Sequence, residues 1–411
     1  MENLRANSAR MLYSWAQNGP LSALGCKLLA QIGRYPVGIQ AIGEGSQSEF
    51  PLLEEGLFSV STPQWIGTEQ NVASGIFPPV GAHLYENCLV SPYTPGVLSS
   101  RNLLLPRSLI ASRSRVTTDS GGLFYYDGSV SISKLPKSRS IPEGIHVGGA
   151  GSFNWFHFII ECLPKCLLAQ RLPAEFSHFP LLLPEECRKI PAFSDALACV
   201  LGGRNVLYLK REEYFLVRRL LVIDEISISP FNLRDGNWPK IQDYSHNNDF
   251  ILEFLSFFRS KLISRQPSLK VGRRVFLVRP EKFRRDYNQS ELVEVARDFG
   301  FEPVAPESLT LREQADLFSN VEFAVGPSGA AWVGMIYRNG KNAPLRGLSW
   351  LPKEYEYFCS YSSLAHILDH QLMFITACTD HPLTSTRDAY ISDYKVSKVD
   401  FSCALQELVG E

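Results

Sequence analysis

The run Gly326-Pro327-Ser328-Gly329-Ala330 follows the apolar stretch Val321–Val325 and precedes a second apolar stretch, Ala330–Tyr337. Small residues at a strand-to-helix turn let the backbone pass close to a ligand, because glycine has no Cβ to block the approach. The unpaired N–H groups of the helix that follows carry partial positive charge and suit a phosphate. Binding a pyrophosphate is one chemistry open to this turn. Nucleophilic attack by serine is the other: the run nearly fits the G-x-S-x-G elbow, and Asp369, His370 and His381 follow in the required chain order.

A second turn, Gly148-Gly149-Ala150-Gly151, opens a helix expected from about 154 to 171. Asn154, His157 and Glu161 fall at i, i+3 and i+7 and share one helix face, with Lys165 one turn further on. An imidazole that titrates near neutrality beside a carboxylate is the equipment of a general base. The same spacing also describes a helix start with a solvated histidine and an exposed glutamate. A third group, Arg279, Lys282, Arg284, Arg285 and Asn288, lies in a loop directly after an apolar strand. Arginine forks in such a loop fit a diphosphate, although a solvated basic loop has the same composition. Thr310 with Glu313 reads as a capping box, a structural device.

The elements that must carry these residues follow from hydrophobic periodicity. Residues 41–145 are rich in Gly, Pro and Ser with short strand-like pieces such as 122–126 and 129–133. From 145 onward, strands at 145–148, 179–183, 206–210 and 219–223 alternate with helices around 154–171 and 193–201. After a polar loop at 231–240 come helix 249–265, strand 274–278, helix 290–299, strand 301–304, helix 310–319 and strand 321–325. Alternation of this kind predicts an α/β fold with parallel sheets, here as two Rossmann-like domains facing a central cleft. The expected boundaries are an N-terminal helical segment at 1–44, an acceptor-side α/β domain at 45–240, a nucleotide-binding domain at 241–385, and a tail at 386–411 that packs back on both.

Composition limits the partners. The 411 residues carry a formal net charge of −1, which argues against nucleic acid. Nine scattered cysteines suit reduced thiols better than a disulfide framework. Cys162 and Cys166 lie one helical turn apart without a second pair at zinc-site spacing, so no metal site is expected. No apolar run is long enough to span a bilayer and no signal-peptide pattern opens the chain, which together predict a cytoplasmic protein. Residues 11–32 read as two short amphipathic helices that pack on the first domain or lie on a membrane surface.

In their order these pieces resemble glycosyltransferase family 61, also known as DUF563 and found among capsular-polysaccharide enzymes. The family helix is matched by Asn154, Trp155, His157, Phe158, Glu161, Leu163 and Pro164, with Lys165 in place of Arg. Its basic loop is matched by Arg279, Arg284, Arg285 and Asn288, with Val278 in place of Ser, and its Glu-Ser-Leu helix by Glu307 through Phe318. Its Val-Gly-Pro-His-Gly-Ala-Gly turn is matched by Val325–Ala330, with Ser328 replacing the histidine and Ala331 the last glycine. The resemblance covers roughly 145–375.

It implies a GT-B-like, inverting, metal-independent transferase without a cofactor. A nucleotide-sugar donor would be held by Arg279, Arg285, Asn288, Gly326, Ser328, Gly329 and Ala330. Asn154 and Lys165 would face the acceptor, a glycan or lipid-linked glycan, and His157 or Glu161 would be the base. The setting implied is bacterial capsule or O-antigen synthesis on the cytoplasmic face of the inner membrane. Ser328 in the histidine position implies either a different donor, compensation by Arg285, or a binding protein without turnover.

Overall fold

A computed structural model describes residues 34–36, 38–99, 102–107, 118–120, 123–126, 129–133, 139–211, 213–230, 238–263, 273–280, 285–341, 343–384 and 386–410. Most of the expected N-terminal helical segment, and Lys282 and Arg284 of the basic loop, lie outside these residues.

The apolar runs assemble into two large sheets. In the first, Arg139–His146 lies between Leu181–Pro184 and Phe215–Ile223, with Val206–Leu209 beyond Leu181–Pro184, all parallel. Leu181–Pro184 is buried along its whole length, as a parallel strand covered on both faces should be. On its other side Phe215–Ile223 pairs antiparallel with Val80–Val90, which extends the sheet into Val97–Leu98, Asn102–Leu105 and Gly38–Ala41. The second sheet runs Glu302–Val304, Arg274–Leu277, Phe323–Val325, Arg346–Pro352 and Gln371–Thr379, again parallel. Tyr394–Val396 closes that edge antiparallel.

Strand order reverses once within the parallel part of each sheet. The reversal falls between Arg139–His146 and Phe215–Ile223 in the first, and between Arg274–Leu277 and Phe323–Val325 in the second. At such a point the loops leaving neighbouring strands diverge to opposite faces and open a crevice beyond the carboxyl ends. The loops there are 147–154 in the first sheet, and 278–280 and 285–288 with 326–329 in the second. All three sequence clusters therefore land at switch points.

The helices form where their caps predict. Thr310 Oγ1 accepts the Glu313 N–H at 3.3 Å while Glu313 Oε2 accepts the Thr310 N–H at 2.8 Å, starting Leu311–Asn320. Asn247 caps Asn248–Leu262 through the Phe250 N–H at 3.0 Å, and that helix buries Phe250, Ile251, Phe254, Leu255, Phe258 and Leu262.

One expectation about the N-terminal part needs correction. The stretch 38–41, assigned to a helical segment, is a strand paired with Asn102–Leu105. Contacts cross the expected boundary near 240. Gln64–Trp65 pairs with Met373–Phe374 of the second sheet, Ser362 Oγ donates to the Ser61 carbonyl at 2.7 Å, and one apolar core runs from Ile145 and Phe254 to Trp332 and Leu364. The segment from 386, expected to pack back on the domains, joins the second sheet. Its helix Lys398–Val409 buries Phe401 and Leu405 against Phe276 and Trp350.

The stretch Ala330–Tyr337 is a 3₁₀ helix, not an α-helix. The narrower coil lies buried against Leu311–Asn320, with Gly334 so close that a Cβ would come within 2.1 Å of the Phe318 ring.

Candidate active site

The first turn is closed from within. A Cβ on Gly148 would lie 2.2 Å from the Pro92 carbonyl oxygen, which the Gly149 N–H and the Ser152 hydroxyl bond at 3.2 and 2.7 Å. Lys165, 1% exposed, donates to the Gly148 carbonyl at 3.0 Å and to both Glu225 oxygens at 3.1 Å. Burial works against its charge, but the attraction of Glu225 prevails and raises the ammonium pKa. Lys165, expected toward the acceptor, is thus a buried brace for the turn.

Asn154 caps the helix by accepting the Phe156 N–H at 2.9 Å. One α-turn later the helix widens into a π segment, Phe158–Cys162, where the Leu163 N–H reaches the Phe158 carbonyl. Pro164 explains the widening: it has no N–H for the carbonyl four residues back, and its ring would collide with that carbonyl in an α-helix. Within this region His157 Nδ1 and Glu161 Oε2 are 2.9 Å apart, both largely buried. The carboxylate accepts the Nδ1–H and thereby leaves Nε2 as the basic nitrogen. The other oxygen, Glu161 Oε1, is buried with no hydrogen-bond partner among the described residues.

The second turn is open. Gly326 is required because a Cβ would meet Leu277 Cβ at 2.7 Å and the Leu277 carbonyl at 2.9 Å. Gly329 leaves room for Arg279, whose Nη2 would lie 3.3 Å from a Cβ there. Arg279 Nη2 donates to the Ser328 carbonyl at 2.5 Å, and Arg285 Nη2 donates to the same oxygen at 3.1 Å. Among the described residues neither guanidinium pairs with a carboxylate; the Arg279 guanidinium also donates to the Arg285 carbonyl and the Tyr394 hydroxyl. Burial, and then the neighbouring Arg285 charge, pull the Arg279 pKa below its usual value. Arg285 adopts φ 61°, a conformation shared among described non-glycine residues only with Asn87 and Asp369. Outside Gly, Asn and Asp such a backbone costs on the order of 1 kcal/mol or more, and strain of this kind concentrates at functional sites.

These groups line a cavity of about 360 Å³, in which Arg279, Arg285, Ser328, Gly329 and Ala330 are joined by Asn154, Tyr355, Phe358, Tyr361 and Tyr390. A smaller cavity of about 40 Å³ shares Asn154 and the four aromatic residues and includes His157. The imidazole and the arginines, 122 or more residues apart in sequence, therefore open onto adjoining space. Asn288 does not join them. Its amide clasps Val396, donating to the carbonyl and accepting the N–H, both at 3.0 Å. No group of three or more His, Cys, Asp or Glu suited to a metal occurs among the described residues.

The serine-elbow chemistry finds no base here. His370 accepts the Leu345 N–H at Nδ1 and donates to the Met335 carbonyl from Nε2, at 3.1 and 3.0 Å. His381 Nε2 bonds Ser392 at 3.2 Å. Neither imidazole bonds Ser328. Sequence reasoning missed Tyr355, Phe358, Tyr361 and Tyr390; the signal was present as aromatics spaced three apart at 355, 358 and 361.

Comparison with known proteins comes to the same place. Residues 155–343 match the family model of glycosyltransferase 61. No curated protein matches the chain. The matched segment holds His157, Glu161, both arginines and the 326–330 turn, whereas the aromatic wall from Tyr355 to Tyr390 lies beyond it.

Proposed function

We propose, on the match of residues 155–343 to the family model of glycosyltransferase 61, that this protein is an inverting glycosyltransferase that moves a sugar from a nucleotide-sugar donor to a glycan or lipid-linked glycan. The observation that carries this reading is the convergence on the Ser328 carbonyl of two guanidiniums that have no carboxylate partner among the described residues, at a sheet switch point, in a cavity adjoining His157. Two positive charges and the backbone amides of 329–331 match a diphosphate and neutralise it as it leaves, without a metal ion.

In the reaction the acceptor oxygen bonds the anomeric carbon as the bond from that carbon to the diphosphate oxygen breaks. The electron pair leaves with the nucleoside diphosphate, and the hydroxyl proton passes to His157 Nε2. Glu161 fixes the tautomer and stabilises the imidazolium that forms. Ser328 acts through its carbonyl, which collects both arginines, so a hydroxyl in the place of an imidazole is compatible with donor binding. We place the enzyme in bacterial surface-polysaccharide synthesis on the cytoplasmic face of the membrane, with a GT-B-like arrangement of its two sheets.

A thermal-shift screen against UDP-, GDP-, CMP- and dTDP-sugars tests the donor reading, since a ligand bound only by the folded state raises stability by mass action. One nucleotide class is expected to raise Tm, and Arg285→Ala to erase most of that rise. No shift with any of the four overturns the proposal.

A further inference from the structure

We infer that Tyr390 is a positioning residue that joins the diphosphate cradle to the His157 cavity: its ring holds Arg285 in place, and its hydroxyl ties the aromatic wall to Asn154. The inference rests on the donor reading above. Tyr390 lines both cavities and lies outside the segment 155–343 that matches the family. The Arg285 guanidinium carbon stands 5.1 Å from its ring centroid, and Asn154 Nδ2 donates to its hydroxyl at 3.3 Å across 236 residues of sequence.

The choice of an aromatic ring here has a physical reason. Arg285 carries its guanidinium on a strained backbone and needs a lateral support. A carboxylate would supply one but would cancel the charge that the diphosphate requires. An aromatic face attracts the cation through its quadrupole and leaves the net charge intact for the ligand. Tyr390 is itself held from behind. Its N–H bonds the Thr386 carbonyl at 3.0 Å, the Tyr355 hydroxyl donates to that same carbonyl at 3.0 Å, and Asp388 accepts the Thr384 N–H at 3.1 Å. With Tyr390 38% exposed, the position is open to a ligand entering the cavity.

A double-mutant cycle read by titration with inorganic pyrophosphate tests this on the full chain. Tyr390→Leu is expected to weaken pyrophosphate binding roughly 3–10-fold, the scale of a lost cation–π contact. Tyr390→Phe keeps the ring and should bind as the wild type does. In an Arg285→Ala background, Tyr390→Leu should change nothing further, because its effect passes through that side chain. Equal loss in both backgrounds, or full binding by Tyr390→Leu beside a weakened Arg285→Ala, overturns the inference and leaves the donor reading standing. A wild-type protein that binds neither pyrophosphate nor any nucleoside diphosphate overturns both. Melting temperatures of the five proteins exclude a folding loss, and the Phe variant keeps the comparison meaningful if Leu is poorly folded.

Discussion

The two glycine turns share a plan, strand then turn then helix at a sheet reversal, yet they treat charge in opposite ways. At 148–154 the nearby cation, Lys165, is buried and matched to Glu225, and its hydrogen bonds hold the turn shut. At 326–330 the cations, Arg279 and Arg285, bond a carbonyl and have no carboxylate partner among the described residues. A cation whose partner is internal stabilises the fold; one left without an anion is available to a ligand. On the proposed reading, the first turn is a rigid mount for His157 and the second the anion site.

The largest effect separates chemistry from binding. His157→Ala should cut turnover by roughly 10²–10⁴-fold, the usual contribution of a general base, while nucleotide affinity stays near wild type. Normal turnover in this variant would remove His157 from the mechanism. Next, Lys165→Met should cost about 3–5 kcal/mol of stability in denaturant titration, because Glu225 is left buried without its partner. Adding Glu225→Gln should recover much of that loss. Arg285→Ala should invert the pattern: stability unchanged within experimental error, nucleotide binding weaker by about 1.5–3 kcal/mol. If both substitutions damaged stability alike, the contrast between the turns would fail.

The smallest effect is a pH dependence that tells the turns apart. His370, bonded to Met335 in the helix after the second turn, has its pKa lowered by burial from 6.5 to about 4. His146, which ends the strand before the first turn, is lowered by burial to about 3. The unfolded chain therefore takes up these protons first, so stability present above about pH 6.5 declines as pH falls toward 4 and then 3. Tm should drop by a few degrees between pH 6.5 and 4, with amides of 330–337 exchanging faster before those of 148–154. Faster exchange at the first turn, or a Tm independent of pH over that window, would contradict this order.

Much of this was legible in the sequence. The turns at 148–151 and 326–330, the Thr310–Glu313 cap and the alternation of strands and helices from 145 to 325 are local patterns, and local patterns survive folding. The pairing of His157 with Glu161 was readable for the same reason, at a spacing of four residues. What was not legible depends on partners far along the chain. Asn288 looks like a ligand-binding residue until Val396 claims its amide, and Lys165 looks accessible until Glu225 closes over it. Tyr390 carries no motif at all, and only tertiary contact with Arg285 and Asn154 gives it a role. The π widening at 158–162 follows from Pro164, but a proline more often ends a helix than expands it.

The pairing of Gln64–Trp65 with Met373–Phe374 has a consequence for how the protein is made. These strands emerge from a ribosome about 300 residues apart, roughly 15–60 s at ordinary elongation rates of ~5–20 residues per second. Through that interval the early strand waits beside unfinished apolar surface, and closure over so long a loop makes the final step slow. Separate expression of the two halves should accordingly yield aggregation-prone pieces, and nascent chains of this protein should depend on chaperones until the last strands of the second sheet have left the exit tunnel.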